Sequence, residues 1–258
     1  MRARPTNPTD TSGARSSVTA RVLDVLAAFS VERPRLTLTE ISRRSGLPLT
    51  TTHRLVGELA AWGALERADD GHYRIGLRLW EVGALAPRSL GLRETAMPFL
   101  EDLYEVTREN VQLAVLDGTE VVYVERLSGR AAVNVITRVG MRLPLHATGV
   151  GLVLLAHADT ELQEKVLSAP LRRYSEKTIC DPDVLRRTLA DVRRTGVAIS
   201  DGQIETVAMS VAAPVRDTGG EVVAALSVVV PAAGASPLAY IPVVRAAARG
   251  ISRALGHR

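Results

Sequence analysis

Apolar residues recur at helical spacing along residues 18–29, where Val22, Leu23, Val25, Leu26 and Phe29 mark one buried face before Pro34 ends the run. Thr37 with Glu40 three residues on has the form of a capping box opening a second helix, TLTEISRRSG, which Gly46 stops. A third helix follows in LPLTTTHRLVGELAAWG. Pro48 suits its first turn, Leu55, Val56, Leu59 and Trp62 form its apolar stripe, and Gly63 terminates it. The period then changes. Residues 64–67 and 72–75 read as short strands about the turn Asp69-Asp70-Gly71, since Asp-Gly between short strands is a hairpin signal.

From Leu77 to about Asn110 the pattern is helical again, with breaks at Pro87 and Gly91; Pro98 requires an early turn or a kink. Beyond Val111 strands and helices mix. VQLAVLDGTEVVYVERL predicts two strands around Asp117-Gly118, and VNVITRVG a third. ATGVGLVLLAHA, ELQEKVLS and PDVLRRTLADVRRTG predict helices. VAISDG and SVAAPVRDTGGEVVAALSVVV predict strands with a turn at residues 217–220, and a helix over residues 238–255 closes the chain. Hairpins followed by helices, without regular βα alternation, predict an antiparallel sheet with helices packed on it, an α+β fold. The expected organisation is a disordered basic arm (1–16), a winged helix-turn-helix (17–76), a linker helix (77–92) and a second, larger domain (93–258).

Composition narrows the chemistry. The chain has 258 residues, 46% hydrophobic but only 3% aromatic, so the core must be built from Ala, Val and Leu. No apolar run approaches the roughly 18 residues a membrane span needs, and the N-terminus lacks the apolar segment of a secretory signal. Cys180 is the only cysteine, which excludes an intrachain disulfide and a cysteine metal cluster and fits a reducing cytoplasm. The net charge of +4 admits a polyanionic partner. Lys165 and Lys177 are the only lysines, a bias that genome composition explains as readily as phosphate contacts do.

Three short helices and a hairpin form a winged helix-turn-helix, in which the third helix fits the major groove and the second braces it. Thr50, Thr51, Thr52, His53 and Arg54 occupy the first turns of that third helix, and hydroxyls and an arginine suit phosphate oxygens and base edges. Arg54 serves either a guanine or a phosphate. Arg43 and Arg44 end the bracing helix, near where a phosphate backbone would pass, and are expected DNA contacts. In the wing, Arg67, His72 and Arg74 are within reach of an adjacent groove, although Asp69 and Asp70 oppose DNA unless the tip turns away. Pattern alone leaves open a protein-interaction module of the same shape.

The runs VLDVLAAF and LTLTEISRRSGLPLTTTHRLVGELAAWGALERADDGHYRIGLRLWEVG resemble the N-terminal domain of IclR-type transcription regulators. GMRLPLHATGVGLVLLAH and SVAAPVRDTGGEVVAALSVVVP resemble the effector domain of that family. The resemblance implies a GAF-like or profilin-like sheet holding a small-molecule pocket, a homodimer that can pair into tetramers, and control of the catabolism of organic acids or aromatics. It implies a pocket lined by Leu143, His146, Ala147, Thr148 and Gly149, where free amides at a helix start can bind a carboxylate. Asp201, less securely Glu205, and Ser210 and Ser227 complete the implied set. Where the family often carries Gly-Lys, this chain has Gly151-Leu152; where it often carries a cysteine, this chain has Ser210. Read as isolated residues, His146 and Ser227 are structural as readily as ligand contacts, and Asp201 beside Gly202 is a turn residue.

No nucleophile elbow, P-loop, dinucleotide fingerprint or i, i+4 histidine pair is present, so no catalytic residue, cofactor or metal is expected. The reading is a cytoplasmic, effector-controlled regulator, repressing rather than activating, that binds double-stranded operator DNA. The alternative is a ligand-binding protein or enzyme with an accessory helix-turn-helix.

Overall fold

The computed structural model describes residues 17–30, 32–85, 90–129 and 132–256. The chain divides into two compact units, residues 1–86 and 87–258. The expected basic arm and the break at Pro87 lie outside the described residues.

In the first unit α1 (Val18–Ala27), α2 (Leu38–Ser45) and α3 (Leu49–Trp62) pack around Val25, Ala28, Leu36, Ile41, Leu55, Val56 and Leu65. The capping box forms in full: the Thr37 hydroxyl accepts from the Glu40 amide at 3.3 Å, and the Glu40 carboxylate accepts from the Thr37 amide at 2.9 Å. Helices α2 and α3 end at the left-handed Gly46 and Gly63, as the sequence predicts. The hairpin of β2 (Leu65–Arg67) and β3 (Tyr73–Ile75) gains a third strand that the pattern did not reveal, β1 (Arg35–Leu36), which pairs Leu36 with Tyr73. Two residues carry no readable period; pairing to β3 alone defines them. Two apolar assignments fail. Leu23 and Trp62 are exposed, and the Arg78 guanidinium covers the Trp62 ring at 4.7 Å. The unit ends in α4 (Leu77–Ala84), none of whose residues is buried.

The second unit opens with α5 (Leu90–Thr107), which continues through Gly91 and Pro98. Six antiparallel strands follow: β4 (Asn110–Asp117), β5 (Glu120–Leu127), β6 (Arg142–Pro144), β7 (Ala198–Asp201), β8 (Ala208–Arg216) and β9 (Val222–Pro231), in the order β6-β5-β4-β9-β8-β7. The predicted third strand over VNVITRVG does not form. Residues 132–139 run irregularly; Gly140 and Met141 share backbone bonds with Tyr123, and Arg142–Pro144 pairs with β5 as a strand. Helices α6 (Gly149–Ala156), α7 (Thr160–Ser168), α8 (Pro182–Thr195) and α9 (Pro237–Ala254) complete the unit.

Period-two alternation gives the sheet two different faces. Val111, Leu113 and Val115 on β4 and Ala224, Leu226, Val228 and Val230 on β9 join α5 and α9 in one core. Their neighbours Ala114 and Ala225, with Ala212, face α6 and α8 in a second core. Every residue of α6 is buried, so this helix must be covered all round. It approaches closely because Gly149 and Gly151 lack side chains. A Cβ at Gly151 would clash with the Leu145 carbonyl oxygen, and one at Gly149 with the Ser210 hydroxyl.

Gly151→Ala is therefore expected to destabilise the second unit by about 1–3 kcal/mol through overpacking, read as an earlier urea transition for that unit alone. An unchanged transition would show that α6 can shift freely.

Candidate nucleic-acid interface and ligand cavity

The outer face of α3 presents Thr50, His53, Arg54, Gly57 and Glu58, all exposed and at i, i+3, i+4, i+7 and i+8. Thr51 is half-buried at the edge of this face. Thr52 is not on it. Its side chain is 0% exposed and its hydroxyl donates to the Pro48 carbonyl at 3.1 Å, so it belongs to the core and is removed from the expected contacts. Helical spacing explains the error: a run of three threonines spans 200° of the helix surface, so one must point inward.

The arginines here are held, not bare. Arg54 bonds Glu58 one turn on at 2.5 Å, and Arg74 bonds Glu66 across the wing at 2.8 Å. Arg44 donates to the Ala28 carbonyl at 2.5 Å, tying α2 to the end of α1, while Arg43 is exposed. Exposed pairs of this kind contribute about 0–1 kcal/mol, so a phosphate can displace the carboxylate at little cost. The wing tip is partly neutralised. Asp70 accepts from the His72 amide at 3.2 Å and from Arg35 at 2.6 Å, and these two contacts hold its carboxyl below the usual range.

In the second unit a narrow cavity of about 50 Å³ lies at the N-terminal end of α6. Leu143, Ala147, Thr148, Gly149 and Ser210 line it, as does Glu205. Thr148 caps α6 by accepting from the Gly151 amide at 3.0 Å, donates to the Pro144 carbonyl at 3.2 Å, and bonds the buried Tyr123. Burial in this wall pushes the Tyr123 phenol up, so it stays a neutral hydroxyl. Ser200 and Ser210 are register partners on β7 and β8, with the Ser200 hydroxyl donating to the Ala147 carbonyl at 3.2 Å. On the irregular segment, Thr137 accepts from Gln112 at 2.5 Å, and the Glu205 carboxylate accepts from the Ile136 amide at 3.0 Å.

Three expected residues are elsewhere. The His146 ring is buried and bonded to the Arg172 carbonyl at 3.0 Å, and burial pushes its pKa down. It is a structural histidine outside the cavity lining. Asp201 is exposed and paired with Lys177 at 2.8 Å. Alternation along β7 puts Ser200 inward and Asp201 outward. Ser227 is buried in β9 between Gln112 and Ala212, but it does not reach the cavity. Sequence reasoning missed Gln112, Tyr123, Val135, Thr137, Ser200 and Gln203. The polar signal was present in β4 and β7, where Gln112 and Ser200 interrupt apolar faces. Val135 and Thr137 carried none, because the segment holding them was read as a strand.

The comparisons agree with this anatomy. Residues 18–69 match the family model described as the IclR helix-turn-helix domain, and residues 85–253 match that of the bacterial transcriptional regulator IclR C-terminal. The crystal structure of an IclR homolog from Microbacterium hydrocarbonoxydans, complexed with 4-hydroxybenzoate, is 45% identical with a TM-score of 0.89, covering 93% of this chain and 99% of that one. The transcriptional regulator XynR of Escherichia coli is 33% identical over 209 residues, 80% of this chain and 83% of its own. The transcriptional repressor AllR of Klebsiella pneumoniae is 33% identical over 224 residues, 85% and 82% of the two chains. A DNA-binding helix-turn-helix unit joined to an effector-binding sheet unit is what these matches describe, and the chain belongs to the IclR family of bacterial transcriptional regulators.

Proposed function

We propose that this regulator is a homodimeric operator-binding repressor, acting in the cytoplasm, whose effector is a small aromatic carboxylate carrying a ring hydroxyl. The observation that carries the ligand class is the distribution of polar groups in the cavity. Donors gather at the α6 end: the helix-start amides and the Ser210 hydroxyl. Such a site suits a carboxylate without a lysine. Leu152, at the position where the family often has one, is fully buried in the core. The Glu205 carboxylate provides an acceptor beside residues 136–137, suited to a phenolic hydroxyl. The 45% identical relative with 4-hydroxybenzoate supports the same class, and the relative named as a repressor supports the sign.

A cavity near 150 Å³ holds a benzene ring, and this one has about 50 Å³. Binding must therefore displace wall segments, with residues 132–141 the least constrained by pairing. That displacement is the conformational difference through which a ligand changes DNA affinity, by no more than its preference for one state.

The α3 face and the wing support operator contact through Thr50, His53, Arg54 and Arg74, with Arg43 on the backbone and Thr51 at the margin. Self-association is supported by α4, whose Leu77, Trp80 and Val82 are exposed, Trp80 at 66%, as is Leu85 at its C-terminal cap. A helix with an uncovered apolar face is a poor monomer surface.

Calorimetric titration of the full chain with 4-hydroxybenzoate is expected to give binding that Ser210→Ala and Glu205→Gln each weaken about tenfold, a lost hydrogen bond's worth. Asp201→Ala leaves it unchanged. Equal losses in all three variants would count against this cavity. Arg54→Ala is expected to weaken operator binding about tenfold in a gel shift while ligand affinity stays constant; a parallel fall in both would mean a folding defect. Trp80→Ser is expected to move the protein toward monomer in sedimentation, and an unchanged dimer would exclude α4 as the contact.

A further inference from the structure

A groove of about 410 Å³ lies on the α9 side of the sheet, sharing no residue with the ligand cavity. Four arginines line it. Arg245, Arg249 and Arg253 sit at i, i+4 and i+8 on α9, and Arg216 reaches it from the end of β8. Helical spacing puts the first three on one stripe about 12 Å long. β7 pairs only as far as Ala198 with Ala212, so the groove opens where Ala213, Pro214 and Arg216 have no strand beyond them.

The bland explanations account for some of these residues singly. Arg245 bonds the Thr195 carbonyl and so finishes α8; Arg216 bonds the Gly220 carbonyl at 2.7 Å and steadies a turn; Arg253 in the last turn of α9 favours the helix dipole. None accounts for Arg249 or for the convergence of all four. Among the described residues no carboxylate pairs with any of them. Elsewhere on this unit some arginines are met by acids, Arg142 by Asp117 and Glu120, Arg186 by Glu164 and Arg194 by Asp191, and others, Arg173 and Arg193, by backbone carbonyls on separate parts of the surface. Four unneutralised guanidiniums around one concavity make a focused positive field. Their planar forks match phosphate oxygens two at a time.

We infer that this groove is a second ligand site, for a compact polyphosphate anion such as the di- or triphosphate of a nucleotide. Concavity favours a small anion over a duplex, which needs a broad or protruding surface. The inference is independent of the aromatic-carboxylate reading, because the two sites share no group.

The test is calorimetry on the full chain with orthophosphate, pyrophosphate, tripolyphosphate and ATP, at about 0.15 M salt. Tripolyphosphate and ATP are expected to bind, pyrophosphate more weakly and orthophosphate not measurably. If ATP exceeds tripolyphosphate, the ligand is a nucleotide; if they are equal, the phosphate chain alone is read. Arg249→Gln with Arg253→Gln alters two exposed side chains, so thermal unfolding without ligand should shift only slightly, by the loss of the Arg253 charge from the α9 C-terminus. In that variant polyphosphate affinity is expected to fall about tenfold or more, with 4-hydroxybenzoate binding intact. Absence of binding to the unaltered chain, or equal affinity in the variant, overturns the proposal. So does a variant that loses operator affinity while polyphosphates fail to bind the unaltered chain, which would make the groove a nucleic-acid surface.

Discussion

The burial of α6 is the constraint on which the second unit depends. Its sequence, GVGLVLLA, offers no polar face, so the helix must be enclosed on every side. The sheet supplies a floor of small residues, Ala114, Ala212 and Ala225, and α8 supplies a roof of Leu185, Leu189 and Val192. The glycines at 149 and 151 let the first turn sink against the Ser210 hydroxyl and the Leu145 carbonyl. A helix start placed this deep cannot have its amides satisfied by bulk water. Thr148 serves one of them, and the cavity brings hydroxyls to the same place. The ligand site is thus a consequence of how the helix is seated.

The sheet makes the rest of that site by strict alternation. On the face toward α6, one end of β4, β7 and β8 is alanine and the other is Gln112, Ser200 and Ser210. The apolar end packs the helix; the polar end lies at and beyond its N-terminus. On the opposite face β4, β8 and β9 are almost wholly aliphatic and hold α5 and α9. The ligand cavity therefore lies on the α6 side, and the arginine groove at the margin of the other, where β7 stops.

In the DNA-binding unit, electrostatics is arranged through exchangeable pairs. Arg54 and Arg74 are held by Glu58 and Glu66, and Asp70 is held by Arg35 and a backbone amide. These contacts keep the long side chains in place while costing little to replace, because both partners remain in contact with water. The Asp70 pairing also offsets one of the two acids at the tip of the wing.

Local signals were enough for the helices and their ends. The Thr37–Glu40 box, the stops at Gly46 and Gly63, and the hairpin about residues 69–71 depend on contacts within a few residues, so they are written in the order of the chain. The family, and with it the two-unit plan of regulator and sensor, was legible for the same reason: long runs of such signals in a particular order. Facing was not. Thr52 points inward because its neighbours turn it there, His146 is claimed by the Arg172 carbonyl, and Asp201 falls on the outer side of β7 by one step of alternation. Residues 132–141 look like a strand yet find no partner for most of their length, since a strand exists only when another edge is available to it. The chain by itself determined which segments coil, extend or turn, and which are apolar. Which side chains meet around the cavity was decided by packing between elements far apart in sequence, and that information no single segment contains.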